Sequence, residues 1–288
     1  MKITNTTELE KLSYYDVADV LLKKFEEKLF EYKHIIVDEG QDFGKARIEN
    51  ASTDNEEEKT ILELFSGYGA GAYDDEDTSF FIFYDKNQLV NSKTLPSYLN
   101  DVDSKLTLYK NCRNTKNIAS TAFSVLNITP VMFDHAWDGE QAKFIYFKDH
   151  DDLIKKLGKL IDKVSSDRKI ISCSESLKYS NIAQDLIYIK GQNNPKIKTD
   201  SLKTEVYTSA TCKGLEASDV ILIDVSPENF EPDNKAFYVG ASRAKKNLYI
   251  FIKNDDIDRI LESTRFNESF PQTDKQCQIA NELHGVVK

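Results

Sequence analysis

The sequence predicts an α/β protein built on mainly parallel sheets. Three observations carry that reading. Short runs rich in Val, Ile, Phe and Tyr alternate with helical periodicities along the 288 residues. Several runs are apolar without interruption, as strands covered on both faces are: Ile35-Ile36-Val37, Phe80-Phe81-Ile82-Phe83-Tyr84 and Val220-Ile221-Leu222-Ile223. The first two end in carboxylates, Asp38 and Asp85, at the strand end where open α/β sheets bind their ligands.

Composition narrows the possibilities. With 40% hydrophobic and 11% aromatic residues the chain has ample material for a core and is unlike a disordered one. Its length suits one large or two ordinary domains. A net charge of −10 makes a poor general nucleic-acid binder, because phosphate contacts come from Lys and Arg, but it allows a local basic groove. Cys112, Cys173, Cys212 and Cys277 are far apart and form no CxxC pair, which argues against a zinc site or a disulfide scaffold. That usage fits a reduced, cytoplasmic setting. The first residues hold no signal-peptide core, and no apolar run is long enough to cross a bilayer, so no membrane role is expected.

In chain order, Tyr14, Val17, Val20, Leu21, Phe25 and Leu29 recur at helical spacing and predict a helix over 13–31. The strand ending at Asp38 follows. Residues 44–57 read as a loop or helix start, 57–65 as a short helix carrying Ile61, Leu62 and Leu64, and the Gly- and Asp-rich 66–78 as a loop. The strand from Ser79 leads to Asp85 and Gln88, and a boundary is expected near residue 102. Beyond it come a strand at 106–109, a helix over 115–126, an irregular stretch at 127–142, a strand at 143–147 and an amphipathic helix over 151–164. A strand at 169–173, a helix over 177–187, a loop at 190–200 and a strand at 205–207 follow. Then come the strand at 220–223, a helix over 234–246, a strand at 248–252 and two helices in 255–286.

Five polar clusters punctuate this pattern: Asp38-Glu39-Gly40-Gln41-Asp42; Asp85 with Gln88; Asn111-Cys112-Arg113-Asn114; Lys213-Gly214-Leu215-Glu216; and Tyr238-Val239-Gly240-Ala241-Ser242-Arg243-Ala244. Adjacent carboxylates at a strand end suit Mg²⁺ and a water nucleophile. Each cluster also has an ordinary structural reading: an acidic turn, a capping Asp85, a loop amide, a solvated Glu216, a simple Lys213-Gly214 turn, or surface ion pairs for Arg113 and Arg243.

In this order and spacing, the five clusters resemble superfamily 1 DNA helicases of the UvrD/Rep kind, from about residue 33 to 252. The resemblance implies two RecA-like lobes, 1–102 and 103–288, with ATP and Mg²⁺ between them. It implies Asp38 as the metal ligand and Glu39 as the residue that orients or deprotonates water. Gln41 and Gln88 would sense the γ-phosphate, with Asp85 beside it. Arg113 and Arg243 would reach the γ-phosphate from the second lobe, and Glu216 would bond the ribose beside the Lys213-Gly214 turn. Guanidinium groups suit that task because phosphoryl transfer spreads negative charge over the transferred group.

The family's P-loop, G-x-x-x-x-G-K-[ST], has no match ahead of the Asp38-Glu39 strand, where only a charged helix is read. Gly44-Lys45-Ala46 and Gly67-Tyr68-Gly69-Ala70-Gly71 lack the required pattern. Tyr84 stands where a glycine is common, Leu89-Val90-Asn91-Ser92 where DNA-stacking aromatics are common, and Ala210 where a histidine is expected. The first lobe is therefore expected to be incomplete. ATP hydrolysis and movement on single-stranded DNA would depend on a P-loop from a protein partner or an N-terminal segment. The alternatives are a non-catalytic interaction module derived from a helicase core and an unrelated Mg²⁺-dependent phosphohydrolase using Asp38, Glu39 and Asp85.

Overall fold

A computed structural model describes residues 14–40, 61–71, 78–85, 104–174, 176, 177, 180, 206–263, 266 and 274–288. The chain divides into two compact units, Met1–Leu106 and Thr107–Lys288.

In the first unit, α1 (Tyr14–Glu26), β1 (His34–Val37), α2 (Ile61–Gly69) and β2 (Ser79–Ile82) surround one small core. Phe25 is its centre, stacked on Tyr68 at 4.6 Å and edge-on to Phe30 at 4.9 Å. β1 and β2 pair in parallel, His34 opposite Ser79. Ile35 and Val37 point into this core. Ile36 and Phe81 point the other way and are exposed, as is Phe83 just beyond β2. The unbroken apolar run therefore belongs to a strand with one buried face, not two.

The glycines expected to form a loop partly continue α2. At Gly69 a Cβ would sit 2.4 Å from the Cβ of Phe80 and 2.7 Å from its backbone nitrogen, so the helix end requires glycine to lie against β2.

The second unit, within its described residues, contains a six-stranded sheet whose strands are all parallel, in the order β10-β5-β9-β8-β6-β7. The strands are β5 (Ala142–Phe147), β6 (Arg168–Ser172), β7 (Val206–Thr208), β8 (Ala217–Val225), β9 (Ala244–Lys253) and β10 (Gly285–Val287). A separate parallel pair, β3 (Lys110–Asn111) with β4 (Val131–Met132), precedes it.

Side chains alternate across the large sheet with the strand's period of two. Phe144, Ile171, Leu222 and Ile250 pack on one face with α3 (Lys116–Ser124), α5 (Ala236–Ala241), α6 (Ile257–Leu261) and α7 (Lys275–Glu282). Ile145, Ile170, Ile221 and Phe251 pack on the other with Leu153, Leu157, Leu160 and Ile161 of α4 (His150–Ile161). Asp149 caps α4 by accepting from the Asp152 backbone at 2.9 Å. The α/β class with parallel sheets flanked by helices is thus observed.

Several boundaries differ from expectation. The helix predicted over 234–246 ends at Ala241. A Cβ at Gly240 would lie 2.9 Å from Leu222 and 3.3 Å from Ile171, so α5 lies hard on the sheet, and the chain turns into β9. The tail, read as two helices, also contributes β10, which extends the sheet beside β5. Residues 106–109 form no strand; the pairing begins at Lys110. Most of 177–187 and all of 190–200 fall outside the described residues.

Candidate functional site

The parallel register of β1 and β2 brings their carboxyl ends out at one edge. Pairing continues past both strands, with Phe83 donating to the Val37 carbonyl and Gly40 to the Phe83 carbonyl, each at 2.8 Å. Asp38-Glu39 and Asp85 leave from that edge. Asp38 is exposed, and its Oδ1 accepts the Glu39 backbone N–H at 2.9 Å. Glu39 has φ +52°, a left-handed backbone that a non-glycine residue adopts at a cost of about 1–3 kcal/mol. Gly40 follows where a Cβ would strike Ile82 at 2.4 Å.

Gln41 and Gln88 lie outside the described residues. Among the described residues no group of three His, Cys, Asp or Glu side chains could hold a metal. Mg²⁺ bound with a nucleotide needs only one or two protein carboxylates, because phosphates complete its shell.

In the second unit, three of the sequence clusters converge. Asn111 Oδ1 accepts the backbone N–H groups of Arg113 and Asn114 at 3.0 and 3.1 Å, forming a tight Asx-type turn before α3. Asn114 is buried. Its Oδ1 accepts from Asn111 Nδ2 at 2.9 Å, and its Nδ2 donates to the carbonyls of Ser242 at 2.9 Å and Ala244 at 2.6 Å. This side chain fastens the Arg113 turn to the Arg243 segment.

Ala217 N donates to the Arg243 carbonyl at 3.1 Å, and Ala217 and Ala244 stand side by side where β8 and β9 begin. Glu216, one residue earlier, is ion-paired with Nε of Arg113. Gly214 supplies φ +71° in the turn before it, with open space where a Cβ would be, so backbone conformation alone favours glycine there. Lys213 lies half-buried in the same turn.

Arg243 itself is 1% exposed. Its Nε donates to the Val239 carbonyl at 3.0 Å and its Nη2 to Ser242 Oγ at 3.2 Å. Burial pushes the Cys212 thiol up to about 11, against the opposing pull of the nearby Arg243 charge. Arg113, Glu216 and the Arg243 backbone thus gather at the amino ends of β8 and β9. Asn114, to which the sequence reading assigned no role, ties the Arg113 turn to the Arg243 segment. Its signal was present as a second amide three residues after Asn111, a spacing that suits a turn, but its partners lie about 130 residues further on.

The carboxyl edge of the same sheet carries a second polar group. Ser172 Oγ donates to Asp224 Oδ2 at 2.6 Å, and Asp224 has φ +56°.

Residues 148–252 match the family described as the viral superfamily 1 RNA helicase core domain. The matched stretch contains Lys213, Gly214, Glu216 and Arg243 and excludes Arg113 and the acids of the first unit. This part of the chain is therefore similar to a helicase core. Among solved structures, the chain is similar to the C-terminal domain of a possible DNA helicase from Lactobacillus plantarum WCFS1. The likeness has 17% identity and a TM-score of 0.39, and covers 55% of this chain and 93% of that one. No curated protein matches. Among the described residues no helix is long and apolar enough to cross a membrane.

Proposed function

We propose that the chain carries part of a UvrD/Rep-like superfamily 1 helicase core, with a partial first RecA-like lobe (1–102) and a second lobe (103–288). The observation that carries this reading is the convergence of Arg113, Glu216 and the Arg243 segment, widely separated in sequence, at one place in the second unit. The helicase-like match over 148–252 supports it.

In this reading Asp38 holds Mg²⁺ and Glu39 orients or deprotonates the attacking water. Gln41, Asp85 and Gln88 attend the γ-phosphate. Arg113 and Arg243 neutralise charge on the transferred group, and Glu216 meets the ribose. Magnesium, when bound with ATP, screens phosphate charge and aligns the phosphates for attack. The P-loop comes from a partner or a preceding segment, and single-stranded DNA is the track.

The test is Mg²⁺-ATP hydrolysis by the purified chain, with and without single-stranded DNA. Turnover at or near background is expected. Robust turnover that survives Arg243→Ala would overturn these roles.

One observation favours a second reading, a non-catalytic module. Arg243 is turned inward onto Val239 and Ser242, as a structural arginine would be. A stable protein partner bound without any nucleotide dependence, in a chain that binds no ATP, would support that reading.

A further inference from the structure

We propose that Glu216 serves as an internal stand-in for phosphate on Arg113, so that the Arg113–Glu216 ion pair is a latch that an incoming polyphosphate opens. This rests on the reading above, in which both residues touch the same nucleotide.

The turn that presents Arg113 is prefolded. Asn111 holds two of its backbone N–H groups, and Asn114 ties it to Ser242 and Ala244. Glu216 stands one residue before the Ala217 amide that bonds the Arg243 carbonyl. The two side chains meet across 103 residues of chain, from two separately anchored loops. A guanidinium paired with a carboxylate through Nε presents its charge to an acceptor with the geometry of a phosphate oxygen.

Side-chain exposures of 39% and 36% leave both groups accessible to a competing anion. They also keep the pair weak, since ion pairs this open contribute little net energy and are screened by salt. A latch of that strength opens at modest anion concentration. Opening it frees the Glu216 carboxylate at the moment that the phosphates engage Arg113.

Isothermal titration of the full chain with sodium tripolyphosphate and, separately, with ATP tests this. Tripolyphosphate has no ribose. Glu216→Gln removes the competing charge with little change of shape, and is expected to tighten tripolyphosphate binding about two- to fivefold. The gain should be smaller for ATP, which loses the ribose contact, and should vanish in the Arg113→Ala/Glu216→Gln double variant. It should also shrink as salt is raised from 50 to about 500 mM. Circular dichroism and thermal melting confirm that each variant is folded, and Glu216→Asp, which restores the charge, should return affinity toward that of the parent chain.

If the parent binds tripolyphosphate through Arg113 but Glu216→Gln binds no more tightly, the latch is wrong and the nucleotide reading stands. If Arg113→Ala binds both ligands as the parent does, the nucleotide reading fails and the latch with it; if no folded form binds either ligand, the latch is wrong.

Discussion

Replacing Asn114 with alanine should unfasten the candidate site and cost a measurable share of the second unit's stability. Asn114 is buried and donates to two carbonyls, Ser242 O at 2.9 Å and Ala244 O at 2.6 Å, while accepting from Asn111. Deletion leaves the two buried acceptors without their side-chain donor and Asn111 without its acceptor. An abandoned buried acceptor costs about 1–3 kcal/mol and a lost exposed hydrogen bond less, so about 2–4 kcal/mol is expected in total.

Urea denaturation of the purified chain, followed by far-ultraviolet circular dichroism, reads this directly. With a slope of about 2 kcal/mol per molar urea, the midpoint of the larger unit's transition should fall by about 1–2 M. Asn111→Ala, which removes a half-exposed partner, should cost about 1 kcal/mol. Asn114→Asp adds a pH signature. The introduced carboxyl faces two carbonyls in a buried place, so its pKa rises on folding, and the protonated form alone can donate. Its stability is present below the unfolded carboxylate value of about 3.9 and lost as pH rises through the folded value. The deficit relative to the parent should therefore be smaller at pH 4 than at pH 7. A midpoint shift under about 0.3 M for Asn114→Ala would show that this side chain does not hold the clusters together.

Three further outcomes are expected. Gly240→Ala should lower the melting temperature by several degrees, at about 1–3 kcal/mol, because the new methyl meets Leu222 at 2.9 Å beneath α5; an unchanged melt would mean that α5 yields freely. Val37→Asp should unfold the first unit by burying a charge in the Phe25 core, whereas Ile36→Asp, on the exposed face of β1, should leave its melting nearly unchanged, and equal effects would contradict the one-sided burial of this strand. Burial raises the Cys173 and Cys212 thiols, so native chain treated with a disulfide reagent at pH 8 should react at exposed Cys112 well before either, by mass spectrometry; because the folded pKa values are raised, the stability these thiols contribute is fully present below the ordinary thiol value of about 8.5 and is lost as pH climbs beyond it.

The sequence by itself determined the class of fold and most of its elements. Strand positions such as Val220–Ile223 and the Leu153, Leu157, Leu160 stripe of α4 were legible because burial imposes a period on neighbouring residues, and a period is local. The acids at the ends of β1 and after β2 were legible for the same reason, as polar residues that stop an apolar run. What closes a helix early or leaves a strand half open is decided by distant atoms. Leu222 and Ile171 lie beneath Gly240, and nothing local to Ile36 announces that one face of β1 is exposed.

Tertiary structure alone decided that Asn114 binds Ser242 and Ala244, that Glu216 meets Arg113, that Arg243 is drawn into its own unit, and that Gly285–Val287 completes the sheet. Each of these contacts joins residues 100 or more positions apart or turns a side chain to one of two available faces. Such choices come from the packing of the whole sheet, since a residue's neighbours in sequence are compatible with either outcome.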